Sequence, residues 1–168
     1  MKEHHYQDLI QIFNNCFETT YNTRLVKGDD EPIYLPAHAD CAHHAIVFAH
    51  GFFSSALHEC AHWFIAGPSR RLQIDYGYWY VPDGRTAEQQ AIFQQVEIKP
   101  QAIEAMLSQA CGYRFQFSID NLHGEESDTA HFKAAVAEQI EVYQQQGLPK
   151  RAGLFREALL DFYINVDL

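Results

Sequence analysis

Apolar residues recur at helical spacing at the start of the chain. Tyr6, Leu9, Ile10, Phe13 and Phe17 fall on one face, which predicts an opening amphipathic helix ending near Thr19. Gly28-Asp29-Asp30-Glu31-Pro32 then reads as a turn, and Ile33-Tyr34-Leu35-Pro36 as a short extended piece fenced by prolines. Ala45 to Ala49 is an unbroken apolar run of strand length that leads through His50-Gly51 into a bounded helix. For that helix Ser54 or Ser55 is the expected N-cap, Gly67 the left-handed residue that closes it, and Pro68 the stop. Beyond Arg70-Arg71, the residues Leu72, Ile74, Tyr76, Tyr78 and Tyr80 alternate at period two and predict a strand, ended by the turn Pro82-Asp83-Gly84.

The second half is more helical. Thr86 with Gln89 three positions on matches a capping box, so a helix carrying Ile92, Phe93 and Val96 inward starts there. Pro100 is expected to kink it or begin a fresh helix, which runs to about Ala110 before Gly112. Tyr113, Phe115, Phe117 and Ile119 alternate as a further strand, closed by the polar turn Asp120-Asn121-Leu122-His123-Gly124. One helix from about Asp128 to Gln146 follows, with Phe132, Val136, Ile140 and Tyr143 inward and Gly147 as its cap; a last one carries Phe155, Leu159 and Phe162. Strands and helices do not alternate regularly. The expected fold is therefore α+β: one domain over residues 1–168, with helices around a small mixed or antiparallel sheet and the helix of residues 54–67 at the centre.

Composition narrows the function classes. Hydrophobic residues are 47% of the 168, which excludes disorder, and no apolar run approaches the roughly 18 residues of a membrane span. The first residues lack a basic stretch followed by an apolar core, so no export signal is expected. Cys16, Cys41, Cys60 and Cys111 are scattered without a CxxC pair; a cytoplasmic protein without required disulfides follows. With 12 basic against 22 acidic residues the net charge is −10, which argues against nucleic acid and for cationic ligands, solubility being the simpler alternative.

Inside the bounded helix lies His58-Glu59-Cys60-Ala61-His62, an HExxH pattern. At 3.6 residues per turn both imidazoles stand on one face and can converge on a cation, while Glu59 points to the rim. Two histidines rarely suffice, so a third ligand must come from elsewhere. Glu88, Glu97, Glu104, His38, His43, His44 and His50 are the choices, and Glu97, beside the Pro100 break, is best placed to turn inward. The chemistry stays open at this level. Zinc with Glu59 as general base makes a hydrolase or peptidase; ferrous iron with the same ligand types leaves positions for dioxygen.

A set of longer strings resolves that choice. Asn22-Thr23-Arg24-Leu25, Lys27-Gly28-Asp29-Asp30-Glu31-Pro32-Ile33-Tyr34-Leu35-Pro36, Ile46-Val47-Phe48-Ala49-His50-Gly51-Phe52 and the HExxH run with Trp63 belong to it. So do Gly77-Tyr78-Trp79-Tyr80, Pro82-Asp83-Gly84-Arg85, Val96-Glu97 with Lys99-Pro100-Gln101-Ala102, and Asp120-Asn121-Leu122. Through these, over nearly its whole length, the chain resembles the bacterial elongation factor P hydroxylase family. The resemblance implies a non-haem, metal-dependent monooxygenase acting on a lysine of elongation factor P that already bears a β-lysyl extension. It implies His58, His62 and Glu97 as ligands of a divalent metal, with iron expected, dioxygen as co-substrate, and Glu59 as a proton-handling residue. No motif names the reductant. Because the pair sits on a helix and not on a β-barrel, the 2-oxoglutarate chemistry of familiar iron hydroxylases is not carried over. A β-lysyl-lysine tip is cationic, so Asp29, Asp30, Glu31 and Asp120 are candidates to line its cleft, the alternative for each being a solvated turn residue.

Overall fold

The computed structural model describes residues 2–76, 84–118 and 129–165. Helix α1 (Tyr6–Tyr21) buries Leu9, Ile12, Phe13 and Phe17 and ends on Asn22 in the left-handed conformation, φ 49°. Three strands follow: β1 (Thr23–Lys27), β2 (Ile33–Leu35) and β3 (His44–Phe48). They form a mixed sheet in the order β1-β3-β2, with β3 parallel to β1 (Leu25 opposite Ile46) and antiparallel to β2 (Tyr34 opposite Ile46). Helix α2 (Phe53–Ile65) carries the HExxH run and packs on β3, α1, α3, α5 and β1. The long α3 (Ala87–Cys111), α4 (Thr129–Gln146) and α5 (Lys150–Tyr163) complete an α+β architecture. Among the described residues no helix is long and apolar enough to cross a membrane.

Two glycines make the sheet-to-helix connection possible. A Cβ on Gly28 would stand 2.3 Å from Val47 Cγ1 and 3.2 Å from the Phe48 carbonyl oxygen, so only glycine lets the end of β1 lie against β3. At the mouth of α2, His50 (φ 56°) and Gly51 (φ 92°) are both left-handed, and a Cβ on Gly51 would press on Lys27 and Tyr6 at 3.0 and 3.1 Å.

The main core joins α1, α2, β3, α3 and α5. Its centre is aromatic: Phe13, Phe17, Trp63, Phe64 and Phe155, all 4% exposed or less, with neighbouring centroids 4.8–6.3 Å apart. Phe93, Ala102, Phe132 and Val136 form a smaller cluster between α3 and α4.

Several expectations are corrected. Phe52 and not a serine stands at the N-cap of α2, without a side-chain cap, while Ser55 Oγ accepts a hydrogen bond from the Ala49 N–H at 3.0 Å. The helix closes on Ala66 in extended backbone (φ −68°, ψ 126°), so Gly67 is not its left-handed terminator. Leu72, Ile74 and Tyr76 are 71, 62 and 45% exposed beside a 3-10 turn at Arg70–Leu72; of the predicted strand only one bridge, Asp75 to Tyr34, is present among the described residues. Tyr78, Tyr80, Pro82 and Asp83 lie outside those residues. The capping box of Thr86 and Gln89 is formed, but α3 runs unbroken through Pro100. Neighbours on α2, α4 and α5 hold it on either side, and the carbonyl that a residue-100 N–H would have used belongs to Val96, exposed together with Ile92 and not inward as expected. Residues 113–118 form no strand ladder, and Ile119 to Asp128 lie outside the described residues. Strand β1 was not foreseen.

The C-terminal carbonyls of α2, which no serine or glycine serves, are met from α5. Arg151 donates to the carbonyls of Trp63 (2.6 Å), Phe64 (3.2 Å) and Ala66 (2.7 Å), and its guanidinium stacks 4.4 Å from the Trp63 ring. Burial and the nearby Arg71 lower its pKa to about 10, which leaves it charged at neutral pH. Arg151→Met therefore strips a charged cap from the helix that holds the histidines. Thermal unfolding should register a loss of about 2–3 kcal/mol, a melting point lower by roughly 4–12 °C.

Candidate metal centre

The site is built by two helices running in opposite directions. Glu97 meets His62, and seven residues further along α3 Glu104 meets His58, four residues earlier on α2. Spacings of four and three place Glu97, Gln101, Glu104 and, four further, Ser108 on one α3 face. All four are buried, between 0 and 3% exposed. Four polar residues on an inward face lower the contrast between the inner and outer sides of α3.

His58 Nε2 and His62 Nε2 lie 3.2 Å apart; Glu97 Oε1 is 3.1 Å from the second and Oε2 3.6 Å from the first. Ligands about 2.1 Å from a common ion at tetrahedral or octahedral angles stand roughly 3.0–3.4 Å from each other, so these separations are those of a ligand set. Two imidazole nitrogens aimed at one point with a carboxylate also leave lone pairs that a cation would satisfy. Among the described residues this trio is the group of His, Cys, Asp or Glu that converges in this way.

The surroundings orient the trio. Glu104 Oε1 is 2.5 Å from His58 Nδ1. Gln101 Nε2 donates to Glu97 Oε2 at 3.3 Å and to the Ser118 carbonyl at 3.0 Å, while Gln101 Oε1 accepts from the Ser118 N–H at 3.1 Å. Burial alone would lower the His58 pKa, but the charge and hydrogen bond of Glu104, followed by Glu97 and Glu59, push it up to about 10 in the metal-free protein. Glu59 is raised by burial, against the opposing pull of His58 and His62.

Two hollows flank the pair. One of about 30 Å³, room for a water, is lined by Glu59, His62, Tyr34, Trp63, Arg70 and Arg71. Glu59 thus borders the smaller of the two hollows. On the other side a cleft of about 510 Å³ is walled by His58, Glu104, Ser54, Tyr113, Phe115 and Phe117, among others.

Of the alternatives for a third ligand, Glu88 is exposed in the first turn of α3, and His43 and His44 face Cys41 and the Ala37 N–H. Asp29, Asp30 and Glu31 are exposed; the Asp29 carbonyl accepts from the His50 N–H at 2.8 Å, and Asp30 Oδ1 lies 3.5 Å from His50 Nε2. None of the three is among the described residues lining either hollow. Asp120 lies outside the described residues. Sequence reasoning offered Gln101 only as a surface partner of Glu97 and passed over Ser118, whose backbone Gln101 holds.

A helical HExxH pair faced by a carboxylate from a second helix, inside an α+β fold, defines a candidate two-histidine, one-carboxylate metal centre. The family model described as elongation factor P hydroxylase matches residues 12–168. The elongation factor P lysine hydroxylase of Haemophilus influenzae is 57% identical over 165 residues, covering 98% of this chain and 93% of that protein. The chain belongs to the elongation factor P hydroxylase family, and it is an enzyme of the oxidoreductase class. The hydrolase alternative is not favoured by this kinship.

Proposed function

We propose that this chain hydroxylates a lysine of elongation factor P that carries a β-lysyl extension, in the cytoplasm, using dioxygen and a divalent iron held by His58, His62 and Glu97. The observation that carries the reading is the approach of the two Nε2 atoms and the Glu97 carboxylate to one another within 4.8 Å. Bound there, ferrous iron supplies a redox centre with open positions for activating dioxygen. The residues of the chain do the rest. His58 and His62 present neutral nitrogens from one helix face, and Glu97 compensates charge from the facing helix. Gln101 ties Glu97 to the segment at Ser118, so the carboxylate keeps its orientation when the cleft is filled. Glu59, whose carboxyl pKa burial raises, borders the small hollow together with His62 and is the residue placed to pass protons there.

The cleft beside His58, of about 510 Å³, has the volume for a slender amine-bearing chain, and its aromatic wall suits the aliphatic stem. Asp29, Asp30, Glu31 and Asp120 are proposed to draw the cationic tip towards the protein at longer range, as part of a net charge of −10. The deciding experiment is mass spectrometry of β-lysylated elongation factor P incubated with the iron-loaded chain under heavy-isotope dioxygen and an excess of a chemical reductant, which supplies the two electrons that, with two protons, turn the second oxygen atom into water. One labelled oxygen atom on the modified lysine is expected; a substrate of unchanged mass, with metal bound, would reject the assignment.

A further inference from the structure

Glu104 is a carboxylate that the ligand set does not use. It is 3% exposed, on the same α3 face as Glu97, and its Oε1 lies 2.5 Å from His58 Nδ1, the nitrogen pointing away from the ligand cluster. A buried carboxylate needs a partner, and His58 supplies it. The bond has a consequence for the opposite side of the ring. A neutral imidazole whose Nδ1 carries the donated proton presents Nε2 as a lone pair, so a metal that displaces the second proton of His58 meets Nε2, the atom directed at His62 and Glu97. Among the described residues His62 Nδ1 has no such carboxylate, so the two histidines are held differently.

We propose that Glu104 is a positioning residue: it accepts the Nδ1 proton of His58, locks that ring in the tautomer and orientation that ligate metal, and raises the basicity of Nε2. The proposal rests on the metal-centre reading above. It assigns Glu104 an indirect role, since the carboxylate reaches the ligand cluster only through the imidazole. Its place on the cleft wall beside His58 adds that whatever enters the cleft lies against this pair and not against His62.

Zinc(II) or cobalt(II) alone, titrated into the metal-free protein, is the probe. Glu104→Gln keeps the shape and a neutral acceptor, and Glu104→Leu removes the acceptor. Affinity should fall by up to about tenfold for the first and about 10- to 100-fold for the second. In the zinc-loaded parent protein, proton NMR with nitrogen-labelled histidine should show a His58 Nδ1–H signal protected from exchange; the signal should weaken in Glu104→Gln and vanish in Glu104→Leu. A purely structural role would lower the melting point of the variants but leave metal affinity and that signal as in the parent, and this result overturns the proposal. Neither readout uses hydroxylation. A parent that binds metal with a protected His58 proton but adds no oxygen to elongation factor P refutes the proposed reaction and leaves the role of Glu104 standing.

Discussion

Glu97→Gln should abolish hydroxylation while leaving the protein folded. The substitution preserves side-chain volume at a site that is 1% exposed, so no cavity opens and the packing of α3 on α2 survives. What changes is the ligand: a neutral amide replaces the one anionic group that faces both Nε2 atoms, at 3.1 and 3.6 Å. Ferrous ion is a cation with a preference for imidazole and carboxylate, and losing one of three ligands together with its charge should weaken binding by about a hundred- to a thousandfold, or roughly 3–4 kcal/mol. Calorimetric titration of ferrous or cobalt(II) ion measures the affinity, and mass spectrometry of elongation factor P measures the product. Circular dichroism provides the control for folding. A variant with parental affinity and product yield would remove Glu97 from the centre.

Phe17→Ala should be the most damaging change remote from the centre. Phe17 is fully buried and its ring meets Phe13 at 4.8 Å, Trp63 at 5.2 Å, Phe64 at 5.6 Å, Tyr21 at 5.9 Å and Phe155 at 6.3 Å. It therefore ties α1 to both α2 and α5. These rings are stacked on helices already fixed by one another, which limits how far the site can collapse, so the loss combines a transfer and a cavity contribution of about 3–5 kcal/mol. That is a large fraction of the 5–15 kcal/mol or so by which a domain is ordinarily stable. Scanning calorimetry should show a melting point lower by roughly 6–20 °C. Below that temperature metal affinity should stay near parental, because Phe17 touches Trp63 and not the histidines. A shift of only a degree or two would mean that the cluster repacks freely.

Features whose cause is local were legible in the sequence. Apolar spacing in α1, α4 and α5, the Thr86–Gln89 capping box and Gly147 as a left-handed cap (φ 93°) depend on residues within a few positions of each other. The HExxH run is of the same kind, since one helix face suffices to bring His58 and His62 together. Features whose cause lies elsewhere in the chain were not. Strand β1 exists because β3, some twenty residues on, offers a parallel partner. Leu72 to Tyr76 and Tyr113 to Phe117 alternate as strands do, but apart from the Asp75 bridge they find no ladder among the described residues, and periodicity cannot supply a partner. The end of α2 is capped by Arg151, 85 to 88 residues away from the carbonyls it serves.

The same division runs through the metal centre. Residue types and spacing on α2 were enough to name an imidazole pair and to expect a carboxylate. The preference for Glu97 rested on a break at Pro100 that α3 does not make, and Glu97 and Glu104 are chemically identical and lie on one face of one helix. The antiparallel passage of α3 across α2 decides it: Glu97 reaches the inner nitrogens, and Glu104 is carried to the outer nitrogen of His58. Helical geometry is written in neighbouring residues, whereas the relative placement of two helices follows from the whole core packed around them.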